Sequence, residues 1–288
     1  MSNSLVDVKK RLSSTKSTAQ ITKAMYMVSS SKIKRAEKTH KGYKDFVEKI
    51  KNVISNVLAT ADEDFEHPLF TPREVKKTAY LIITSDRGLA GTYNSSIFKE
   101  LDSRIKNHNG DYICAAIGKK GFSFLQRRGY HTLGDSHIAV RDDVMFMDMN
   151  DLVQNIINIY VSGEIDQLIV IYNHFVNNLV QEVRSEVLLP ITPIEATSLN
   201  DEYVYEGGVE TTLDLVLPMY VKDLIYGIIL DAKCAEHSAR MNAMKSATDN
   251  ANEVIEKLQL LYNRARQNVI TNDLIDIIGG ANAIGGDN

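Results

Sequence analysis

The sequence predicts an α/β fold in which a central α/β domain lies between long N- and C-terminal helices that form an antiparallel coiled coil. Residues 211–284 read as one helix whose single proline, Pro218, falls near its start, and residues 3–60 contain no proline. Strand and helix patterns alternate between these helices. We therefore predict an N-terminal coiled-coil helix over 1–60, an α/β domain over 76–200 and a C-terminal coiled-coil helix over 211–288.

The N-terminal helix is predicted from apolar or small residues that recur in steps of three or four, which places them on one face. Its first half carries the series Leu5, Val8, Leu12, Thr15, Ala19, Thr22 and Tyr26, and its second half carries Phe46, Ile50, Val53 and Val57. Small side chains in the first series allow a close approach by a second helix. We expect this face to pack on the C-terminal helix.

The same helix is strongly basic. Residues 1–51 contain thirteen lysines and arginines against four acidic residues, a local balance of +9 in a chain of net charge −4. Such a surface fits three interpretations: a solvated helix face, a site for nucleic acid or an acidic membrane surface, or a basic rod inside an acidic sleeve. Charge alone favours the solvated face.

The middle of the chain has the pattern of a Rossmann-like α/β domain with a mostly parallel sheet. Buried strands are predicted over 79–84, 112–118 and 168–172, and helices near 121–128 and over 149–161. Asn94 is predicted to cap a further helix that buries Ile97, Leu101 and Ile105. Asn177 and Asn178 sit between two apolar pairs, which predicts a tight hairpin.

The C-terminal helix is predicted to outrun its partner. At 1.5 Å per residue it spans roughly 111 Å against roughly 87 Å for the N-terminal helix, an overshoot of about 24 Å. Two apolar stripes cover this part: Val254, Leu258, Leu261, Ala265 and Val269, then Ile270, Leu274, Ile277 and Ala281. Because an isolated helix of that length is unstable in water, we expect it to need a partner surface.

Chemistry-bearing motifs are scarce. The loop Ser85–Asn94 joins a strand to a helix, but it lacks the third glycine of a dinucleotide site and the Gly-Lys-Ser/Thr of a phosphate loop. The seven histidines show no metal-ligand spacing and are expected in loops, and Asp142-Asp143 and Glu236-His237 are expected at the solvated surface. Two distant cysteines favour reduced thiols. No apolar run is long enough to span a bilayer and no signal peptide is visible, so we expect any membrane link to pass through a partner.

Three regions of the sequence carry a family resemblance. Residues 239–251 (ARMNAMKSATDNA), 262–267 (YNRARQ) and Ile270-Thr271 resemble the C-terminal helix of the gamma subunit of bacterial-type rotary ATP synthases. Residues 21–32 (ITKAMYMVSSSK) resemble that family's N-terminal motif, and 86–94 (DRGLAGTYN) resemble its central loop, which reads Asp-Arg-Gly-Leu-x-Gly-x-x-Asn. The resemblance therefore reaches across essentially the whole chain. Tyr26 replaces a residue that is charged in many relatives, and Ala90 replaces a cysteine, so we expect no thiol switch.

The resemblance implies a non-catalytic central rotor stalk that needs no cofactor. Such a stalk transmits torque between a proton-driven membrane c-ring and a catalytic hexamer of alpha and beta subunits, with an epsilon subunit as a further partner. It implies no nucleic-acid binding and a place at the cytoplasmic face of the cell membrane. The implied torque contacts with the beta subunits are Lys23, Met25, Arg240, Arg266, Gln267 and Thr271, and the implied foot on the rotor ring is Tyr203 and Glu206.

Two alternatives stay open at this point. One is an α/β enzyme with helical dimerisation arms, which turnover or ligand binding by the purified chain would favour. The other is a basic coiled-coil protein that binds nucleic acid, which steeply salt-dependent DNA binding would favour. Neither alternative accounts for the motif between Arg240 and Thr271.

Overall fold

The computed structural model describes residues 5–61, 66–108, 110–134, 138–140, 145–192, 194 and 208–285. Five α-helices run over Leu5–Ala59 (α1), Tyr93–Lys106 (α2), Lys119–Arg128 (α3), Asn150–Val161 (α4) and Gly208–Gly285 (α5). Four strands run over Lys77–Ile83 (β1), Asp111–Ile117 (β2), Gln167–Phe175 (β3) and Gln181–Leu189 (β4), and a 3₁₀ turn over Phe146–Met149 precedes α4. The two long terminal helices are thus as predicted. Contacts group the chain into two units, one of Met1–Val28 with Met241–Asn288 and one of Ser29–Arg240.

The larger unit is built on one sheet of order β2-β1-β3-β4. Strand β1 is parallel to β2 and β3, and β4 is antiparallel to β3, which confirms the mostly parallel sheet. Successive residues of β1 point to opposite faces. Leu81 packs in a core with α4 and the ends of α1 and α5, whereas Ile82 packs in a second core with α2 and α3. Helices therefore cover both faces, as a Rossmann-like domain requires.

Within this unit α1 and α5 run antiparallel. The ring of Tyr43 lies 4.8 Å from that of Tyr226, and further along α1, Ile54 joins a core cluster with Leu217, which is earlier in α5. The predicted apolar face of this half of α1 was partly wrong. Phe46 is 48% exposed, whereas Ile54 is fully buried, so the packed face is rotated by about one residue.

The smaller unit confirms the predicted face on the first half of α1. Val8, Leu12, Ala19 and Thr22 are buried, at steps of four, seven and three. On α5 the Thr248 hydroxyl donates a 2.7 Å hydrogen bond to Thr22 Oγ1. Two small residues meeting this closely show that the helix backbones approach each other at this level.

Two local predictions in the α/β domain need correction. Asn94 does not cap α2, which begins after Thr92, because its side-chain oxygen instead accepts from the Ser85 backbone N–H at 3.1 Å. The β3–β4 hairpin exists, but its loop is longer than the predicted two residues. The Asn177 side chain accepts from the backbone of Leu179 and Val180, which closes a loop over residues 176–180.

Candidate functional site

The predicted torque contacts in the smaller unit lie on the surfaces of both long helices. Lys23, Arg266, Gln267 and Thr271 are exposed and Met25 is half-buried. The Thr271 hydroxyl donates to the Gln267 carbonyl at 2.9 Å, so it is oriented by its own helix. These side chains are free to contact another molecule without unfolding either helix.

The structure separates these residues into two levels. Thr22, next to Lys23, meets Thr248 on α5. Arg266 lies about 27 Å further along α5 than Thr248, at 1.5 Å per residue. The pair Lys23 and Met25 is therefore not adjacent to the group around Arg266.

The far part of α5 carries an apolar surface that the described chain does not cover. No residue from Asn252 to Gly279 is buried, within the part of the chain whose side chains are described. Leu260 is 62% exposed, Leu274 is 55% exposed and Ile277 is 68% exposed. So large an apolar surface marks an interaction site. The predicted need for a partner surface fits this finding.

Arg240 is buried in the larger unit, whereas the other predicted torque contacts are exposed or half-buried. Its Nη2 lies 2.7 Å from Glu236 Oε1, and Lys233 Nζ lies 3.1 Å from Glu236 Oε2. Lys233 also donates to the Val140 carbonyl at 2.5 Å. Burial alone would raise the pKa of the Glu236 carboxyl, but Lys233 and Arg240 outweigh it and hold that pKa below its usual value. Arg240 is thus fixed as one member of an internal ionic cluster.

This cluster belongs to a stretch of α5 that is buried on every side. All residues from Ile229 to Ser238 are buried, so the prediction that Glu236 and His237 are solvated was wrong. Residues of the α/β domain and of α1 lie around this part of the helix, and apolar periodicity cannot reveal such burial. The usable signal was charge spacing, since Lys233, Glu236 and Arg240 stand three and four residues apart.

The β3–β4 hairpin reaches the same stretch at two positions. Asp231 Oδ2 lies 2.6 Å from His174 Nδ1, and Asp231 Oδ1 accepts from the Phe175 N–H at 3.2 Å. Seven residues on, the Ser238 hydroxyl donates to the Asn178 carbonyl at 2.8 Å and accepts from Gln181 Nε2 at 3.0 Å. The sequence predicted the hairpin at Asn178, but no motif predicted its pairing with Asp231 and Ser238.

The basic surface of α1 is displayed outward. Of its thirteen lysines and arginines within residues 1–51, all are exposed except Lys32, which is half-buried. None of them is therefore used to fill the described core. The surface can attract acidic groups on another molecule.

The loop Ser85–Asn94 lies at the carboxyl end of β1, where α/β domains often hold phosphates. The helix α3 begins beside this loop, and its first amides already have hydrogen-bond partners. The Lys119 N–H donates to Asp86 Oδ1 at 2.9 Å and the Gly121 N–H to Thr84 Oγ1 at 2.8 Å. A Cβ at Gly118 would stand 2.2 Å from the Thr84 carbonyl oxygen, so the two segments are packed too closely for a side chain. These amides at the N-terminus of α3 are thus hydrogen-bonded within the protein.

Only some of the described histidines lie in loops. His67, His108 and His131 lie outside helices and strands, as predicted, whereas His40 and His237 lie in helices and His174 in a strand, so the prediction of loop histidines was wrong for those three. No group of three or more His, Cys, Asp or Glu in the described part of the chain is arranged to hold a metal ion. Burial raises the pKa of both the Cys114 and Cys234 thiols to about 12.

Three of the sequence predictions fall outside the described residues: the foot residues Tyr203 and Glu206, the pair Asp142-Asp143, and His137. Among the helices that the structure does describe, none combines the length and apolar character needed to cross a bilayer.

Comparisons with known proteins agree with this architecture. A family model described as ATP synthase matches residues 4–284. The central stalk/c-ring structure of Tetrahymena thermophila mitochondrial ATP synthase contains a chain 28% identical, with a TM-score of 0.60, over 79% of this chain and 99% of that one. A chain in the Euglena gracilis mitochondrial ATP synthase rotor, in rotational state 1, is 15% identical with a TM-score of 0.64, over 92% of this chain and 98% of that one. A chain in the OSCP/F1/c-ring structure of Euglena gracilis mitochondrial ATP synthase, in rotational state 3, is 17% identical with a TM-score of 0.56, over 88% of this chain and 95% of that one. At these identities the Euglena chains show a shared fold.

Proposed function

We infer the role of this protein from one premise: the chain belongs to the ATP synthase family of F1 gamma subunits, whose model matches residues 4–284. It is a central stalk subunit of an ATP synthase. We assign the shaft to the coiled-coil segments 1–60 and 211–288, and the globular part of the stalk to 76–200. The observation that carries this role is the long antiparallel helix pair ending in an uncovered apolar stretch of α5.

The proposed partner of that uncovered stretch is the hexamer of alpha and beta subunits. Enclosure of Leu260, Leu274 and Ile277 would remove a large apolar area from water, which stabilises assembly by roughly 25 cal/mol per Å². Lys23, Met25, Arg266, Gln267 and Thr271 would then contact the beta subunits as the shaft turns. The basic surface of α1 suits an acidic sleeve, since opposite charges meet there.

Torque would alter the affinity of each beta site in turn. A tenfold change in affinity corresponds to about 1.4 kcal/mol, so a change of several decades needs several kcal/mol from the shaft. An asymmetric two-helix rod can deliver this only if it contacts the three beta subunits unequally. Arg240, fixed by its ion pair with Glu236, would act as a rigid part of that rod.

The chemistry is assigned to the beta subunits, and this chain is proposed to be non-catalytic. The Ser85–Asn94 loop lacks the glycines and the lysine of a phosphate site, and the amides of Lys119 and Gly121 at the adjacent start of α3 donate to Asp86 and Thr84. For the same reason we propose no cofactor. No observation favours the alternatives of an α/β enzyme or a nucleic-acid-binding protein.

The foot of the stalk is proposed to meet the membrane c-ring through Tyr203 and Glu206, with the epsilon subunit as a neighbour. This assignment rests on the family resemblance and on the stalk and c-ring assemblies in which the similar chains occur. The complex would place this chain at the cytoplasmic face of the cell membrane as a peripheral subunit.

Copurification tests the proposal directly. A tagged chain expressed in its native cell should bring down alpha, beta and epsilon subunits and the c-ring, identified by mass spectrometry. Vesicles that contain the purified complex should pump protons when ATP is added. Recovery of the tagged chain alone, or with nucleic acid that high salt removes, would contradict the proposed function.

A further inference from the structure

The β3–β4 hairpin holds α5 through side chains of two helix residues. Asp231 accepts from the Phe175 N–H at 3.2 Å and pairs with His174 Nδ1 at 2.6 Å. Ser238 donates to the Asn178 carbonyl at 2.8 Å. Both helix residues are buried, whereas His174 is half-buried and Asn178 is exposed, so the contacts lie at the edge of the packed region.

The two attachment points lie on one face of α5. Asp231 and Ser238 are seven residues apart, which is close to two full turns and about 10 Å along the axis. One contact alone would let the helix pivot about it. Two contacts in line oppose both rotation of α5 about its own axis and sliding along it.

The opposite side of the helix is also held. Lys233, which points roughly 160° away from Asp231 at 100° per residue, donates to the Val140 carbonyl. The Tyr93 hydroxyl donates to the Ala232 carbonyl at 3.1 Å. Polar bonds therefore reach this part of α5 from the hairpin, from Val140 and from α2.

We propose that Asp231 and Ser238 of α5, together with His174, Phe175, Asn178 and Gln181 of the hairpin region, form a clamp through which torque passes between the α/β domain and α5. We call this set the hairpin clamp. The inference rests on the proposed function, because torque enters only if the chain is a rotor stalk. It goes beyond that function by assigning torque transfer to contacts within this chain.

Directional contacts add to the resistance that close apolar packing gives here. Ala235 and Ile229 are buried, and the free energy of that burial depends on area and not on direction. Hydrogen bonds weaken steeply when their angles change. Each lost hydrogen bond should therefore raise the population of a slipped arrangement about two- to tenfold.

The test uses the complete complex reconstituted in vesicles. The variant Asp231→Ala/Ser238→Ala removes both helix-side partners, and Ser95→Ala is the matched control because its hydroxyl bonds only the Thr92 carbonyl beside it. We expect the double variant to assemble and hydrolyse ATP while it pumps fewer protons per ATP. The deficit should widen as the opposing proton gradient rises, since slippage grows with load. A loss of stability alone would lower yield and not produce this load dependence.

Milder variants cover the case in which the double variant fails to fold. Ser238→Ala alone should show a smaller, load-dependent deficit. Asp231→Asn keeps an oxygen acceptor for the Phe175 N–H, so it should pump more protons per ATP than Asp231→Ala does. Wild-type proton-to-ATP ratios in Ser238→Ala at every load would overturn the clamp and leave the stalk function intact. Failure of the wild-type chain to assemble with alpha and beta subunits would instead overturn the stalk function.

Discussion

The Tyr43 hydroxyl of α1 donates a 2.5 Å hydrogen bond to the Asp223 carboxylate of α5. Asp223 is only 5% exposed. The two residues are 180 positions apart in the chain, so this bond fastens one terminal helix to the other within the larger unit. Burial raises the pKa of Asp223, while the bond from Tyr43 opposes that rise.

Removing the donor should therefore destabilise the helix pair. We expect Tyr43→Phe to lower the free energy of unfolding by about 1–3 kcal/mol, because Asp223 loses a partner in a buried position. Urea unfolding of the isolated chain measures this, with Tyr262→Phe as the control. Asp223→Asn should be milder, since the amide oxygen still accepts from Tyr43. Equal stability of Tyr43→Phe and the control would show that the bond contributes nothing.

The internal ionic cluster gives a larger expected effect. Glu236→Gln leaves Lys233 and Arg240 buried without their carboxylate, which should cost about 3–5 kcal/mol. Glu256→Gln, on an exposed part of the same helix, should change stability by less than about 0.5 kcal/mol. Chemical denaturation compares the two. A Glu236→Gln chain as stable as the wild type would mean that water reaches the cluster.

The far end of α5 should matter to assembly and little to the isolated fold. Truncation after Asn268 removes the exposed apolar residues Ile270, Leu274, Ile277 and Ile278. We expect an unchanged melting temperature for the isolated chain but a lower yield of complex with alpha and beta subunits. Undiminished yield and thermal stability of the truncated complex would refute the proposed burial of this stretch.

Acid should weaken the fold through His67. Its Nδ1 accepts from the Leu69 N–H, and its Nε2 lies 3.2 Å from Asp214. Burial lowers the pKa of His67 below 6.5, although Asp214 opposes the shift. Below about pH 6.5 the unfolded chain therefore binds more protons than the folded chain. The free energy of unfolding is fully retained above that pH and falls below it, by at most about 1.4 kcal/mol per pH unit for one histidine.

Unfolding measured between pH 7.5 and 5 tests this sign. His67→Gln should show a shallower decline than the wild type, because it cannot take up the proton on unfolding. His131→Gln, at an exposed position, is the matched control and should keep the wild-type slope. A wild-type slope in His67→Gln would exclude His67 as the source of the pH dependence.

Both thiols should be inert in the native chain. Because burial raises the pKa of Cys114 and Cys234 to about 12, almost no thiolate is present at pH 8. A thiol reagent should label neither cysteine until denaturant is added, when both should react. Rapid labelling of the native protein would show that the surrounding core opens readily.

The sequence patterns predicted the long helices, the parallel strands and the first packed face of α1 because each repeats many times. The patterns did not distinguish a packed face that contains Phe46 and Val53 from one that contains Val47 and Ile54, because both faces have apolar residues at steps of three and four. The α/β domain that packs against this half of α1 decides which face is buried. Asn94 was misassigned for a related reason. Its side-chain oxygen could accept from the first amides of α2 or from a neighbouring segment, and it accepts from the Ser85 N–H.

The candidate site was predictable to a different extent. Motif resemblance predicted contact residues on both helices, and four of them (Lys23, Arg266, Gln267 and Thr271) are exposed, but it offered no account of Asp231 or Ser238. Their partners lie in a hairpin more than fifty residues earlier, and the i to i+7 spacing that puts them on one face is common in any helix. Long-range polar pairing of this kind leaves no periodic signal.

The uncovered end of α5 also bears on how a cell must make this protein. A newly synthesised copy presents Leu274 and Ile277 to solvent until its partners enclose them. Surplus copies would offer this surface to chaperones, to one another and to proteases, which can cleave at the exposed Lys257 and Arg264. Synthesis in step with the subunits that enclose the helix would keep such orphan copies scarce.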